Sequence, residues 1–168
     1  DDDDSSGDDD DDSSGDDDDD SSGDDDDSAE GCMPCSGDFT LSDQDGFDEL
    51  AECGTLSGSL RIEASLPGFQ GQLHCLREIG EDLIVESNST LLSLQFLPSL
   101  ARIDDDLTIE DNDALHSIHG LASLTEGGGD VRIEDNNLLG SLDGLDNLTA
   151  VGDDMYLWDN DLLTDFSG

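Results

Sequence analysis

Apolar and polar residues alternate in four short stretches set at an even step along the chain. They are Leu83-Ile84-Val85-Glu86-Ser87-Asn88, Leu107-Thr108-Ile109-Glu110-Asp111-Asn112, Val131-Arg132-Ile133-Glu134-Asp135-Asn136 and Met155-Tyr156-Leu157-Trp158-Asp159-Asn160, each beginning 24 residues after the one before. A fainter copy, Leu60-Arg61-Ile62-Glu63-Ala64-Ser65, begins 23 residues before the first. Beyond each Asn the apolar positions keep the same step: Leu91, Leu115, Leu139 and Leu163, then Leu94, Ile118, Leu142 and Phe166, then Leu97, Leu121 and Leu145, then Leu100, Leu124 and Leu148. A fixed period of this size is the mark of a solenoid, whose units bury their apolar faces only against their neighbours. The period of two within each phrase predicts a strand with Leu107 and Ile109 inward and Thr108 and Glu110 outward. Parallel strands are expected near 60–63, 83–86, 107–110, 131–134 and 155–158, stacked in register as one sheet. Stacked Asn side chains at their ends would bond to the backbone of neighbouring coils.

Ahead of the repeats the pattern changes. Phe39 and Leu41 alternate as a short strand, Ser42-Asp43-Gln44-Asp45 resembles a capping box, and Phe47, Leu50 and Ala51 recur at helical spacing. Residues 37–53 therefore read as an N-terminal cap, a strand and helix covering the first coil. At the other end, the coil begun at Met155 has no occupant for its last two apolar columns. The C-terminal coil is expected to be incomplete and the chain a fragment.

Charge separates the chain into two parts. The sequence of 168 residues carries 47 acidic and 4 basic residues, a net of −43. Residues 1–31 hold 18 Asp and Glu30, so 28 acids and all four basic residues, Arg61, Arg77, Arg102 and Arg132, belong to 32–168. The Asp/Ser/Gly-rich run cannot bury a core and repels itself, so 1–36 reads as a disordered tether ending in a CxxC. The repeats are acidic in their own right. Such a surface repels nucleic acid and anionic membrane and suits cations or a basic partner. No apolar run approaches the ~20 residues of a membrane span.

Four cysteines, an even count, fit disulfides and an oxidising compartment. Cys53 and Cys75 fall one coil apart, and a Cys53–Cys75 bond is expected across that spacing of ~4.8 Å. Cys32-Met33-Pro34-Cys35 could be redox-active or half a zinc site. With no second C-x-x-C and no βαβ pattern, a small Cys32–Cys35 disulfide loop is the better reading. His74, His116 and His119 offer no complete metal set.

The phrase L-x-I-x-x-N-x-x-L is the leucine-rich-repeat motif. The runs Cys53-Gly-Thr-Leu-Ser-Gly58-Ser-Leu60-Arg-Ile62, Leu76-Arg-Glu-Ile79-Gly-Glu-Asp-Leu83 and Leu94-Gln-Phe96-Leu97-Pro-Ser-Leu100-Ala-Arg-Ile103 resemble the receptor L domain. That module occurs in insulin- and EGF-receptor ectodomains and in many secreted bacterial surface proteins. Gly37-Asp-Phe-Thr-Leu41-Ser-Asp-Gln resembles the cap that precedes the bacterial versions. The resemblance covers about 37–168 and implies a mainly β, right-handed leucine-rich-repeat or β-helix-like solenoid of about five coils. It also implies a binding and scaffold module without catalytic residues. The acidic tether resembles that of bacterial surface lipoproteins, although the lipid-bearing Cys of that arrangement is not in this sequence.

The expected function is thus a non-catalytic binding or adhesion module, extracellular or at the cell surface, for an unknown protein or glycan ligand. Its candidate face is the outward side of the strands: Arg61, Glu63, Ile84, Glu86, Thr108, Glu110, Arg132, Glu134, Tyr156 and Trp158. Tyr156 and Trp158 are the chain's one Tyr and one Trp, residue types favoured as binding anchors. A β-helical polysaccharide-active enzyme is an alternative, with Glu110, Glu134 and Arg132 mimicking a lyase site. A salt- or cation-responsive spacer is another, with Asp111, Asp135 and Asp159 as a weak cation column for Ca²⁺ and further acidic columns at Asp82, Asp106, Asp130 and Asp154 and at Glu63, Glu86, Glu110 and Glu134.

Overall fold

A computed structural model describes residues 31–63 and 69–164. Most of the tether assigned to 1–36, Ala64 and Ser65 of the faint fifth copy, and Phe166 lie outside the described residues. The fold is mainly β. Its strands are β1 (Met33–Cys35), β2 (Phe39–Leu41), β3 (Cys53–Leu56), β4 (Leu60–Ile62), β5 (Glu78–Ile79), β6 (Leu83–Glu86), β7 (Arg102–Ile103), β8 (Leu107–Glu110), β9 (Glu126–Gly127), β10 (Val131–Glu134), β11 (Ala150–Val151) and β12 (Met155–Trp158). Among the described residues one α-helix, α1 (Gln44–Leu50), follows β2, and two 3-10 turns occupy His119–Leu121 and Asp143–Leu145.

The chain alternates between two parallel sheets. Odd-numbered strands form one in the order β1-β3-β5-β7-β9-β11, and even-numbered strands form the other in the order β12-β10-β8-β6-β4-β2. The expected strands near 60–63, 83–86, 107–110, 131–134 and 155–158 are β4, β6, β8, β10 and β12, and they lie side by side in one sheet. Their register follows the sequence period: Leu83 pairs with Leu107, Leu107 with Val131, and Val131 with Met155. The other sheet departs from the one-sheet expectation. Its strands β5, β7, β9 and β11 are two residues long and bury no more than one position each, which is too little alternation to read as a strand.

The core fills the space between the sheets. Leu60, Ile62, Leu83, Val85, Leu107, Ile109, Val131 and Ile133 are fully buried, as are the connecting Leu91, Leu94, Leu97, Leu115, Ile118, Leu121 and Leu139. The connections pack so closely that a Cβ at Gly120 would collide with the carbonyl of Leu94, and one at Gly144 with that of Ile118. The absent side chain lets the 3-10 turns nest at each step.

The strand and helix expected within 37–53 are present as β2 and α1, with a shifted helix start. Asp43, not Ser42, caps α1, its carboxylate accepting from the Gly46 amide at 3.0 Å. Phe47 and Leu50 turn inward, and Phe47 stacks on Phe69 with centroids 5.3 Å apart, both meeting Phe96 edge-on.

The disulfides correct both expected pairings. Cys32 bonds Cys75 and Cys35 bonds Cys53, with Cα separations of 5.3 and 5.6 Å. Residues Met33–Cys35 are a strand, so Cys32 and Cys35 stand roughly 10 Å apart along an extended chain, beyond disulfide reach. That strand pairs with β3, which brings Cys35 beside the segment that starts at Cys53. Cys32 passes over Gly54, where an added Cβ would stand 3.3 Å from its own, and reaches Cys75. Cys53 is thereby taken, and the Cys53–Cys75 bond does not form. The two bonds staple the edge strand β1 to the body of its sheet.

Peptide mapping of the oxidised protein should recover Cys32–Cys75 and Cys35–Cys53. The chain-entropy account of loops with separations of 43 and 18 residues gives about 4 and about 3 kcal/mol. Reduction should therefore lower the melting temperature strongly. A Cys32–Cys35 peptide, or no shift on reduction, would contradict this arrangement.

Candidate functional site

The outward face of the even-numbered sheet carries two columns of side chains, because residues alternate across a strand and the strands are in register. One column runs Arg61, Ile84, Thr108, Arg132, Tyr156. The other runs Glu86, Glu110, Glu134 and ends on Trp158, with Glu63 one residue past the end of β4. All ten candidate residues thus lie on one continuous face, with Trp158 at its rim and 59 % exposed. The Tyr156 and Trp158 rings meet edge to face with centroids 5.5 Å apart.

The chain's own cations occupy two places on this face. Arg132 reaches Asp130 and Glu134, both at 3.4 Å, and its guanidinium lies 5.3 Å over the Tyr156 ring. Arg61 pairs with Glu86 and lies 3.9 Å from Glu63. Thr108 stands between them in the same column, and among the described residues Glu110 beside it has no ion-pair partner. Burial raises the Glu110 pKa, and Glu134, Asp111 and Glu86 add to the effect. The Tyr156 hydroxyl donates to Asp154 at 3.2 Å, which raises its pKa in turn.

The columns flanking the strands have structural duties that the sequence pattern concealed. Ser87, Asp111, Asp135 and Asp159 hold φ values of 56°, 55°, 55° and 48°, the left-handed region that Asp tolerates better than most residues. The expected cation column Asp111–Asp135–Asp159 is therefore first a backbone requirement. At the other strand end, Asp82 accepts from the Asp106 amide at 3.1 Å, Asp106 from Asp130 at 2.7 Å, and Asp130 from Asp154 at 2.9 Å. Each carboxylate thus fixes the start of the next strand. Beside this ladder, Asp82, Asp105 and Asp106 each place an oxygen within 4.8 Å of the others. Mutual repulsion raises the Asp105 pKa, Asp82 contributing most. Three oxygens are fewer than the six to eight that Ca²⁺ takes from its surroundings. His116 and His119 are exposed.

A cleft of about 220 Å³ opens elsewhere, lined by Leu142, Leu145, Leu148, Val151, Met155 and Leu157. Among the described residues no helix is long and apolar enough to cross a membrane. No protein-family model matches the chain, and no curated protein sequence matches it.

These charges predict a stability effect of definite sign. The folded-state pKa of Glu110 lies above its ordinary value, so the penalty is absent below the ordinary carboxylate range and grows as pH rises through the raised pKa. Glu110→Gln should raise the melting temperature at neutral pH in low salt. The gain should fade in acid and in NaCl. CaCl₂ at matched ionic strength should stabilise the unaltered protein no more than NaCl does, since screening alone relieves the columns. A lower melting temperature for Glu110→Gln under those neutral, low-salt conditions would contradict this electrostatic account, and a larger shift in CaCl₂ would reveal a specific cation site.

Proposed function

We propose that this chain is a non-catalytic binding or adhesion module that works outside the cell or at its surface. In this reading the repeats form a right-handed solenoid of leucine-rich-repeat type, similar to the receptor L domain, presented on the acidic tether. Strands that alternate between two parallel sheets at a 24-residue step support the architecture. Two disulfides support an oxidising setting.

The observation that carries the binding reading is the pair of half-buried Tyr156 and exposed Trp158 at the end of a continuous outward face. Amphipathic rings at a strand edge offer apolar area at little entropic cost to a protein or glycan ligand. The carboxylates Glu110 and Glu134 sit at repeat positions beside Arg132, which pairs within its own strand. That arrangement serves a face of fixed charges and gives no reason to invoke bond cleavage.

The test probes the full chain against panels of glycans and secreted proteins, beside a Tyr156→Ala/Trp158→Ala variant of equal thermal stability. A ligand should be retained by the unaltered chain and weakened at least about tenfold by the double substitution, as expected of aromatic anchors. Equal binding by both chains, or cleavage of a glycan, would contradict the proposal.

A further inference from the structure

The face described above already holds two guanidinium groups, each against two carboxylates. On β10, Arg132 lies between the carboxylates two residues before and two residues after it, Asp130 and Glu134, with the Tyr156 ring of the next strand beneath it. On β4, Arg61 is held by Glu63 and Glu86. The strand between β6 and β10 repeats the carboxylates without the cation: Asp106 and Glu110 stand two residues either side of Thr108. Asp82 and Asp105 crowd Asp106 on one side, and Glu86 and Glu134 flank Glu110 in register on the other. A short neutral side chain therefore sits where the adjacent strand β10 supplies an arginine, on a sheet face whose carboxylate column leads to Trp158.

We propose that this sheet face docks an extended, Arg- or Lys-bearing polypeptide segment, seating one ligand cation over Thr108 between Asp106 and Glu110 and resting a neighbouring part of the segment on Trp158. The inference rests on the binding-module reading and names the chemistry of its ligand. Charge complementarity selects the occupant. Residues 32–168 have a net charge of −24, and among the described residues Arg61 and Arg132 are the cations in this face's two columns, both engaged. A guanidinium or ammonium arriving from outside converts repulsion among Asp82, Asp106 and Glu110 into attraction, with its stem free to lie along Ile84. The exposed indole adds a π-face for a second cation. Such docking forms quickly and weakens with salt, as electrostatic association does.

Trp158 is the chain's one tryptophan, so its fluorescence reads this face directly. The probe is a short synthetic peptide alternating Gly and Arg, with a Gly–Ser peptide as the neutral control, titrated into the full chain. Saturable change in Trp158 emission is expected with the Arg peptide, not with the Ser peptide, and weaker in added NaCl. Thr108→Arg, which fills the seat from within, and Glu110→Gln, which removes its charge, should each weaken the response at least about tenfold. Glu110→Gln keeps the test independent of misfolding, because the same variant should fold more stably at neutral pH. Peptide association without a Trp158 response, or with a response that Thr108→Arg and Glu110→Gln leave unchanged, would mean attraction by the Asp-rich run alone and would overturn the proposal. So would no association at all. If a panel ligand still depends on Tyr156 and Trp158 while the Arg peptide does not bind, the binding-module reading stands and this inference falls.

Discussion

A buried carboxamide that completes its hydrogen bonds only through neighbouring strands holds this molecule in register. Asn112 donates to the Val85 carbonyl at 2.9 Å and to the Asn136 side chain at 3.1 Å, while its own oxygen accepts from the Asn88 amide and side chain at 3.2 and 2.9 Å. Asn136 repeats the pattern with Ile109 and Asn160, and Asn160 with Ile133. Asn88, Asn112 and Asn136 are buried, so water cannot replace a lost partner. The apolar columns reward any stacking that buries leucine. The Asn ladder tolerates one register, because a one-residue slip leaves several polar groups unpaired and turns the core side chains outward.

Fixed register has an electrostatic consequence. Every acid that recurs at the repeat step meets its copy on the next strand, where unit charges about 5 Å apart repel by roughly 1 kcal/mol even in bulk water. The fold answers this differently at each column. Asp82, Asp106 and Asp130 turn their carboxylates onto backbone amides of the next repeat, in the opposite direction to the Asn ladder. Asp111, Asp135 and Asp159 lie where the backbone turns left-handed, at the exposed edge of the sheet. Glu86 and Glu134 take arginines, and Glu110 is left with its like-charged neighbours. The residual negative field is thus concentrated at the middle of the face that also presents the exposed Trp158 ring.

The long strands and their facing were legible because they combine a period of two with a period of 24, which sets both the facing and the register of the same leucines. The Asn ladder was legible for the same reason, since a polar residue that recurs amid apolar ones must be paired. The second sheet was not, because single buried positions such as Ile79 and Ile103 carry no alternation. The disulfide pairing is not legible in the sequence, because a C-x-x-C spacing fits a tight loop as well as a strand. Met33–Cys35 is an extended strand, and strand geometry separates its two cysteines. For the candidate face, the column members were readable from alternation alone. Which acids were occupied by backbone amides, by arginine or by nothing depended on side-chain placement that spacing does not encode. The left-handed turn before each Asn could have been suspected from the Ser or Asp always found there.

The ladder is tested most directly by denaturant unfolding of Asn112→Ala, alone and combined with Asn88→Ala. The single substitution strips partners from the Val85 carbonyl and from Asn88 and Asn136, groups worth about 1–3 kcal/mol each when stranded out of water. The account predicts a loss of about 3 kcal/mol or more. It also predicts that the double substitution costs clearly less than the two single losses together, because they share a bond. A loss below about 1 kcal/mol, or strictly additive losses, would contradict the claim that the Asn ladder governs register.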